Sequence, residues 1–375
     1  MSQSTLPNDF SAKYVSLAAK LAVRLRAGEW ASGKVPTVRE IASEYAVSSF
    51  TASRALHLLR DQGLVVTRER SGCYVTPVDS ELSTSSRWAV VLRVSPGPWR
   101  ATSESVSRVG FEELAGEGKF IPYPIELPTT ADPTAFEQAA KTISADGVEG
   151  VFFLPSRVSE QACRQDEAFL ASCRREGLPV VLVDRNLRGP ARPIEFDLVA
   201  SDHFDGGRCC TEHLLKLSRR SVACVVASPT STHGDRLAGY LYALQTVGGG
   251  EMTPRVIWVP EHLDAKETYP WIANELIRVG ADGVICYQDY VAVGVILELF
   301  RRGINVPRDV AVAGCDDLPI GNSFALGVTS YSYPSAAIAR TALRVLVNRI
   351  AHPEDPPKKI VLKGKLVVRD STVGS

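Results

Sequence analysis

Three features of the 375-residue chain predict an α/β protein whose body is a pair of doubly wound parallel sheets, preceded by a separate and mostly helical N-terminal domain. From residue 87 onward, short apolar runs alternate with amphipathic helical stretches, the pattern of parallel strands covered by helices. That stretch is long for a single sheet, so two lobes with a cleft between them are expected. Residues 1–76 instead read helix, helix, turn, helix, hairpin. Residues 77–86 (PVDSELSTSS) are poor in large apolar side chains and read as a linker between the two parts.

Composition limits the function classes. Hydrophobic residues make up 45% and charged residues 22%, as in ordinary globular proteins. The sequence shows no apolar run of membrane-spanning length and no apolar signal segment near its start, so a cytoplasmic location is expected. Lys+Arg and Asp+Glu balance at 42 each, but the first 78 residues carry ten basic against six acidic side chains. A mildly basic head on a mildly acidic body suggests an anionic partner for the head. The eight cysteines form no CxxC pair and no Cys/His cluster at zinc spacing, and most sit in apolar runs. Buried, reduced thiols are expected, with no metal and no cofactor.

Each element of the head follows from local pattern. Residues 13–26 place Leu17, Leu21 and Leu25 at four-residue spacing with Tyr14 and Ala18 beside them. Pro36 is expected to start a second helix at 37–45. Ala46, Val47 and Ser48 form a turn, and a third helix runs from 49 to 61 and stops at Gly63. Two β-type runs, 64–67 and 73–76, flank Ser71-Gly72. At 100° per residue, Ala52, Ala55, Leu56 and Leu59 share one face of the third helix. Phe50, Ser53, Arg54 and His57 share the opposite face, with Ser49 at its margin. An apolar inner face and an Arg/His/Ser/aromatic outer face suit a helix laid in the major groove of duplex DNA. Arg54 can reach guanine or phosphate, Phe50 a thymine methyl, and Ser49 or Ser53 either kind of base. Arg68 and Arg70 on the hairpin would lie over the backbone or minor groove.

In the body, strands are expected at 88–94, 148–154, 179–183, 222–227, 255–259, 283–286 and 310–313. Helices are expected at 159–176, 205–217, 236–246, 267–279 and 291–302. The tail, 359–369, is strand-rich and should pair at an edge. Charges at strand C-termini point into the crevice of such sheets. Asp184-Arg185 ends a buried strand, Arg236 opens a helix after one, and Gln288-Asp289 follows another. Carboxylates and guanidinium groups suit sugars, because each makes paired hydrogen bonds to vicinal hydroxyls. Trp99, Tyr331 and Tyr333 offer aromatic faces for a sugar ring. Asp289 has a second reading, as a cap for the helix near Val291.

The motif VPTVREIASEYAVSSFTASRALHLLRDQGLVV, followed by GCYV, resembles the GntR-type winged helix. Pro36, Arg39, Val47, Ser48, Thr51, Ala55, Leu56, Leu59, Gly63 and 72–75 stand at the family's positions. The resemblance implies DNA contacts from Arg39, Ser48, Thr51 and Arg54, with Thr37 and Gly72 in the same motif. Ser49 and Ser53 replace residues that are usually basic, which bears on the target sequence. Residues 87–372 resemble the LacI/GalR effector domain, in VVLVDRNL, HGDRLAGYLYAL, QDYVAVG and NVPRDVAVAGCDD. That family shares its fold with periplasmic sugar-binding proteins. The resemblance implies that Arg236 and Asp289 hold an effector, with Asp184, Arg185 and Tyr333 lining the same cleft. Together the two resemblances imply a homodimeric repressor of carbohydrate-utilisation genes that binds operator DNA and answers to a sugar-like effector.

Enzyme chemistry finds little support. Gly28-x4-Gly33-Lys34 imitates a phosphate loop, but Val35 replaces the magnesium-binding Ser/Thr and no strand precedes it. Gly248-Gly249-Gly250 lacks dinucleotide spacing, Gly321-Asn322-Ser323 lacks the glycine of a nucleophile elbow, and Glu212-His213 has no second histidine at helical zinc spacing. A sugar-active enzyme or a solute-binding protein, with the head serving another role, is the alternative.

Overall fold

A computed structural model of the chain describes residues 9–26, 29–30, 34–61, 65–68, 72–75, 87–94, 103–116, 121–128, 132–156, 159–189, 192–249 and 252–374. The chain divides into two compact units, Met1–Ser83 and Thr84–Ser375. The linker expected at 77–86, the loop holding Trp99, and Arg70 lie outside the described residues.

The first unit contains α1 (Asp9–Arg26), α2 (Val38–Glu44), α3 (Ser49–Asp61) and the antiparallel strands β1 (Val65–Arg68) and β2 (Gly72–Val75). Leu17, Ala18 and Leu21 of α1 close on Ile41 of α2 and on Ala52, Ala55 and Leu59 of α3, all buried. The i, i+3, i+4 spacing read from sequence is the spacing of this core. Pro36 does not open α2. Thr37 does, accepting from Glu40 N while Glu40 Oε2 accepts from Thr37 N at 2.7 Å, a capping box. The T-x-x-E pattern was present in the sequence and outweighs the proline. Ala46, at φ 49°, makes the turn into α3. An isolated antiparallel bridge joins Lys34 to Tyr74 of the hairpin.

The second unit opens with β3 (Arg87–Val94), α4 (Ser103–Gly116), β4 (Ile121–Pro128), α5 (Pro133–Ala145), β5 (Gly150–Phe153), α6 (Glu160–Arg175), β6 (Val180–Val183) and β7 (Asp197–Ser201). It continues through α7 (His203–Lys216), β8 (Val222–Val226), α8 (Ser231–Thr246), β9 (Arg255–Trp258), α9 (Ala265–Arg278), β10 (Gly283–Ile285) and α10 (Asp289–Arg301). The remaining elements are β11 (Ala311–Asp316), α11 (Pro319–Ser323), β12 (Thr329–Ser332), α12 (Ser335–Ala351), β13 (Lys359–Leu362), β14 (Lys365–Val367) and α13 (Asp370–Val373). The strands make two six-stranded sheets, ordered β4-β3-β5-β6-β7-β13 and β9-β8-β10-β11-β12-β14. All pairings are parallel except β12 with β14.

The chain passes between the lobes at Asp202, at Tyr333-Pro334 and at Lys363-Gly364, because α7 packs on the second sheet and α12 returns to the first. The tail therefore supplies an edge strand to each lobe. In the first lobe Phe136, Ile143, Phe153 and Phe169 fill one face of the sheet. In the second, Ile272, Leu276, Val295 and Leu299 fill one face, while Cys210, Leu214, Tyr240 and Leu244 fill the other. Six cysteines are buried and Cys73 and Cys209 partly so.

Candidate functional site

Two places gather the residues singled out by sequence. On the head, α3 turns Ser49, Phe50, Arg54 and His57 to solvent, with Phe50 68% exposed. Ser53 is partly covered. Arg54 lies over the Tyr14 ring with its guanidinium 5.2 Å from the centroid, which orients it without taking its hydrogen-bond donors. His57 Nδ1 meets Arg60 Nη2 at 2.7 Å. Thr37 and Arg39 are exposed on α2, and Gly72, at φ +113°, turns the chain into β2. Thr51 differs from expectation. It is buried, its hydroxyl lies 2.9 Å from Ser48 Oγ, and its N–H donates to that oxygen at 3.1 Å. Ser48 thus satisfies an orphan donor in the first turn of α3, and Thr51 holds it there. Arg68 belongs to β1, with its side chain outside the described residues.

The second place lies at the carboxyl ends of the strands in both lobes. From the first lobe, Asp184 follows β6 at φ 69°, and Arg185 donates to its Oδ2 through Nε at 3.1 Å and Nη2 at 2.8 Å. Arg185 Nη1 also donates to the Pro155 carbonyl at 3.1 Å. His203 Nε2 lies 3.1 Å from Asp184 Oδ1. Burial pushes the Asp184 carboxyl up, but the Arg185 guanidinium and His203 outweigh it and hold the group well below the ordinary carboxylate range.

From the second lobe, Arg236 of α8 donates through Nη2 to Asp316 Oδ1 at 2.5 Å and through Nη1 to the Tyr287 carbonyl at 2.6 Å. Burial works against the Arg236 cation. Asp316, and in smaller measure Asp184 of the other lobe, more than restore it, so its pKa is raised. Tyr333, on the second crossing, bonds Ser107 Oγ through its hydroxyl at 3.1 Å and is raised by burial and by the Asp184 charge. Asp184, Arg185, Arg236 and Tyr333 therefore lie in one electrostatic neighbourhood. Tyr331 does not join them; its hydroxyl donates to Asp205 Oδ2 at 2.9 Å.

Asp289 is the exception among the expected effector contacts. It is 0% exposed, and both of its oxygens are engaged inside the second lobe. The carboxylate facing Arg236 belongs to Asp316, which sequence reasoning passed over although GCDD was in view and its position at the end of β11 was the available signal. His203 and Ser107 were missed because only the tertiary fold brings them to this place. His233 is a further addition. Its Nδ1 accepts from the N–H of Ala227 and Ser228 at 3.3 and 3.0 Å, which puts the ring proton on Nε2, and the ring packs on Tyr287.

The segment after β6 also spans the lobes. Asn186 N donates to Ser231 Oγ at 3.1 Å, Gly189 N to the Pro229 carbonyl at 2.8 Å, and the buried Arg188 joins Glu160 of its own lobe to Glu261 of the other. A hollow of about 790 Å3, lined by Arg174, Leu178, Asp197, Arg349 and Pro353, lies at the opposite, amino ends of the first sheet's strands. Arg349 there is saturated by Asp197 and three carbonyls, which marks it as structural.

Residues 13–75 match the family of bacterial regulatory proteins, gntR family, and residues 211–372 match the periplasmic binding protein-like domain. An arabinose metabolism transcriptional repressor of Geobacillus stearothermophilus is 23% identical and aligned over 99% of both chains. An HTH-type transcriptional regulator of Streptomyces limosus is 26% identical over 91% of this chain and 95% of its own. Among solved structures, a CelR–cellobiose complex superposes with a TM-score of 0.62 at 21% identity, covering 90% of this chain and all of the other. The regulator CcpA of Lactococcus lactis gives 0.61 at 21% identity, covering 77% and 99%. The chain joins a GntR-type DNA-binding head to a periplasmic-binding-protein-like body, and these relatives are transcription regulators, not enzymes.

Proposed function

We propose that the chain is a homodimeric, cytoplasmic repressor of carbohydrate-utilisation genes, relieved or modulated by a small sugar-like effector. One observation carries this: a buried Asp184–Arg185 pair from one lobe lies within electrostatic reach of a buried Arg236–Asp316 pair from the other, in a chain whose head matches the gntR family of regulatory proteins. Each ion pair presents carboxylate acceptors and guanidinium donors already held in place, so a polyhydroxylated ligand between them gains paired hydrogen bonds at little ordering cost. Relatives named as arabinose and ribose repressors, and a neighbour with cellobiose bound, support the ligand class. Among the described residues no helix is long and apolar enough to cross a membrane.

Rotation about the three crossings lets a ligand favour one lobe arrangement. It shifts the population only by its preference for that state. Two heads must match half-sites about one helical turn, or a multiple, apart, so a change in their spacing costs contacts and affinity. The test is a titration of promoter DNA from the chain's own gene neighbourhood, with and without L-arabinose, D-ribose, D-xylulose or cellobiose, beside a thermal-shift screen of the same sugars. A sugar that raises the melting temperature and changes DNA affinity is expected. Failure to bind any of the DNA, or sugar binding without effect on it, would overturn the reading.

A further inference from the structure

Two roles for Asp289 are open from sequence, effector ligand and helix cap, and its geometry fits neither. Gln288 is the N-cap of α10 and makes no side-chain cap bond. Asp289 Oδ2 instead accepts from Leu318 N at 2.6 Å, and Oδ1 accepts from Ser330 Oγ at 2.7 Å. Ser330 Oγ in turn accepts from Asp317 N at 3.0 Å. All three bonds converge on one short turn.

That turn is unusual. Asp316 and Asp317 stand consecutively in the left-handed region, at φ 87° and 51°, where non-glycine residues persist only if their surroundings impose it. Asp317 is held from outside by Arg369 Nη2 at 2.7 Å. From inside, the Asp289 carboxyl group fastens the backbone two residues beyond Asp316 and, through Ser330, the residue next to it. Gly314 and Gly321 leave room for that group: a Cβ on Gly314 would overlap Asp289 Oδ1, and one on Gly321 would come within 3.3 Å of the side chain. The product of this bracing is the Asp316 carboxylate, delivered to Arg236.

We infer that Asp289 is a positioning residue of the effector site, whose buried carboxyl group braces the Asp316–Leu318 turn and so aims Asp316 at Arg236 and at the ligand between the lobes. The inference rests on the reading of the cleft given above. What the turn needs from Asp289 is shape and hydrogen bonding, not charge. Burial accordingly pushes the group well above the ordinary carboxylate range, against the opposing effect of Ser330 and Leu318. An asparagine can serve the same partners, its oxygen accepting from Leu318 N and its amide donating to Ser330 Oγ. A leucine can serve neither.

The experiment uses the full chain and the variants D289N, D289L, S330A and D316N. It measures affinity by calorimetry for whichever of L-arabinose, D-ribose, D-xylulose or cellobiose binds the unaltered chain most tightly. In parallel, the 15Nε resonance of Arg236, identified by its loss in R236K, reports the Arg236–Asp316 pair without any ligand. D289N should stay within about threefold of the unaltered chain, S330A should fall severalfold, and D289L about tenfold or more. D289L should cost little further affinity once Asp316 is already Asn, a coupling that general destabilisation does not produce. The Arg236 resonance should move in D289L and D316N and stay in D289N. If D289N falls as far as D316N, Asp289 touches the ligand directly and the inference is wrong. It is equally wrong if D289L binds normally, or if the resonance ignores both D289L and S330A. Normal sugar binding by D316N would instead overturn the cleft reading. If D289L does not fold, S330A and D289N still decide.

Discussion

Gly207 on α7 lies against Arg236 on α8 so closely that a Cβ at Gly207 would overlap the Arg236 carbonyl oxygen. The relation is reciprocated one turn away, where a Cβ at Gly239 would overlap the Phe204 carbonyl. The two helices thus pack backbone to backbone, and their separation sets where the Arg236 guanidinium emerges.

Gly207→Ala and Gly239→Ala should each destabilise the body by about 3 kcal/mol, because backbone cannot retreat as a side chain can. The helix-propensity gain of alanine, about 1 kcal/mol, is too small to offset this. Urea unfolding monitored by circular dichroism measures the effect; an unchanged or raised midpoint would refute the packing argument.

Arg54→Ala should lower operator affinity about tenfold or more, the range for loss of a direct base or close phosphate contact. Sugar affinity should not change. Gel-shift titration together with calorimetry separates the two, and equal operator affinity would remove Arg54 from the DNA face.

Acid should weaken the body through Asp184. Its carboxyl is held below the ordinary range in the folded chain, so the unfolded chain takes up that proton first. The stabilisation is present above about pH 4, the ordinary aspartate value, and is lost as pH falls below it. Unfolding midpoints measured from pH 6 down to pH 3 should therefore drop less steeply for Asp184→Asn, against its own lower starting stability. Parallel curves would show that Asp184 is not the group responsible.

Arg188→Ala should weaken effector binding about threefold at physiological salt. The guanidinium is buried, but Glu160 and Glu261 are mostly exposed, and solvent screens such pairs. Raising salt to 1 M should weaken the unaltered chain similarly and the variant hardly at all. Identical salt dependence in both would exclude a charged link between the lobes.

The head was legible in the sequence because its determinants are local. A leucine every fourth residue in α1 and an apolar stripe on α3 each specify a face without reference to distant residues. The body was legible only where its strands are apolar. β12, Thr329-Ser330-Tyr331-Ser332, is an inner strand that reads as polar. The Thr329 and Ser330 hydroxyls are satisfied by the Arg369 carbonyl, Thr372 and Asp289, partners 40 or more residues away. β4 carries Pro122, Pro124 and Pro128, which an edge strand tolerates and which conceal it. The same distinction governs the cleft. Asp184, Arg185 and Arg236 stood out as charges at strand ends, whereas the exchange of roles between Asp289 and Asp316 depends on which carboxyl group the turn after β11 encloses.

The tail's two strands, β13 and β14, have a consequence for biosynthesis. The first sheet lacks its full set of strands until Leu362 has left the ribosome and the second until Val367, so both lobes reach completion within a few residues of each other, late in translation of these 375 residues. A nascent body halted before residue 359 would show unpaired edges on β7 and β12 to chaperones and to other chains, whereas the head, with its core closed by residue 75, would already be finished.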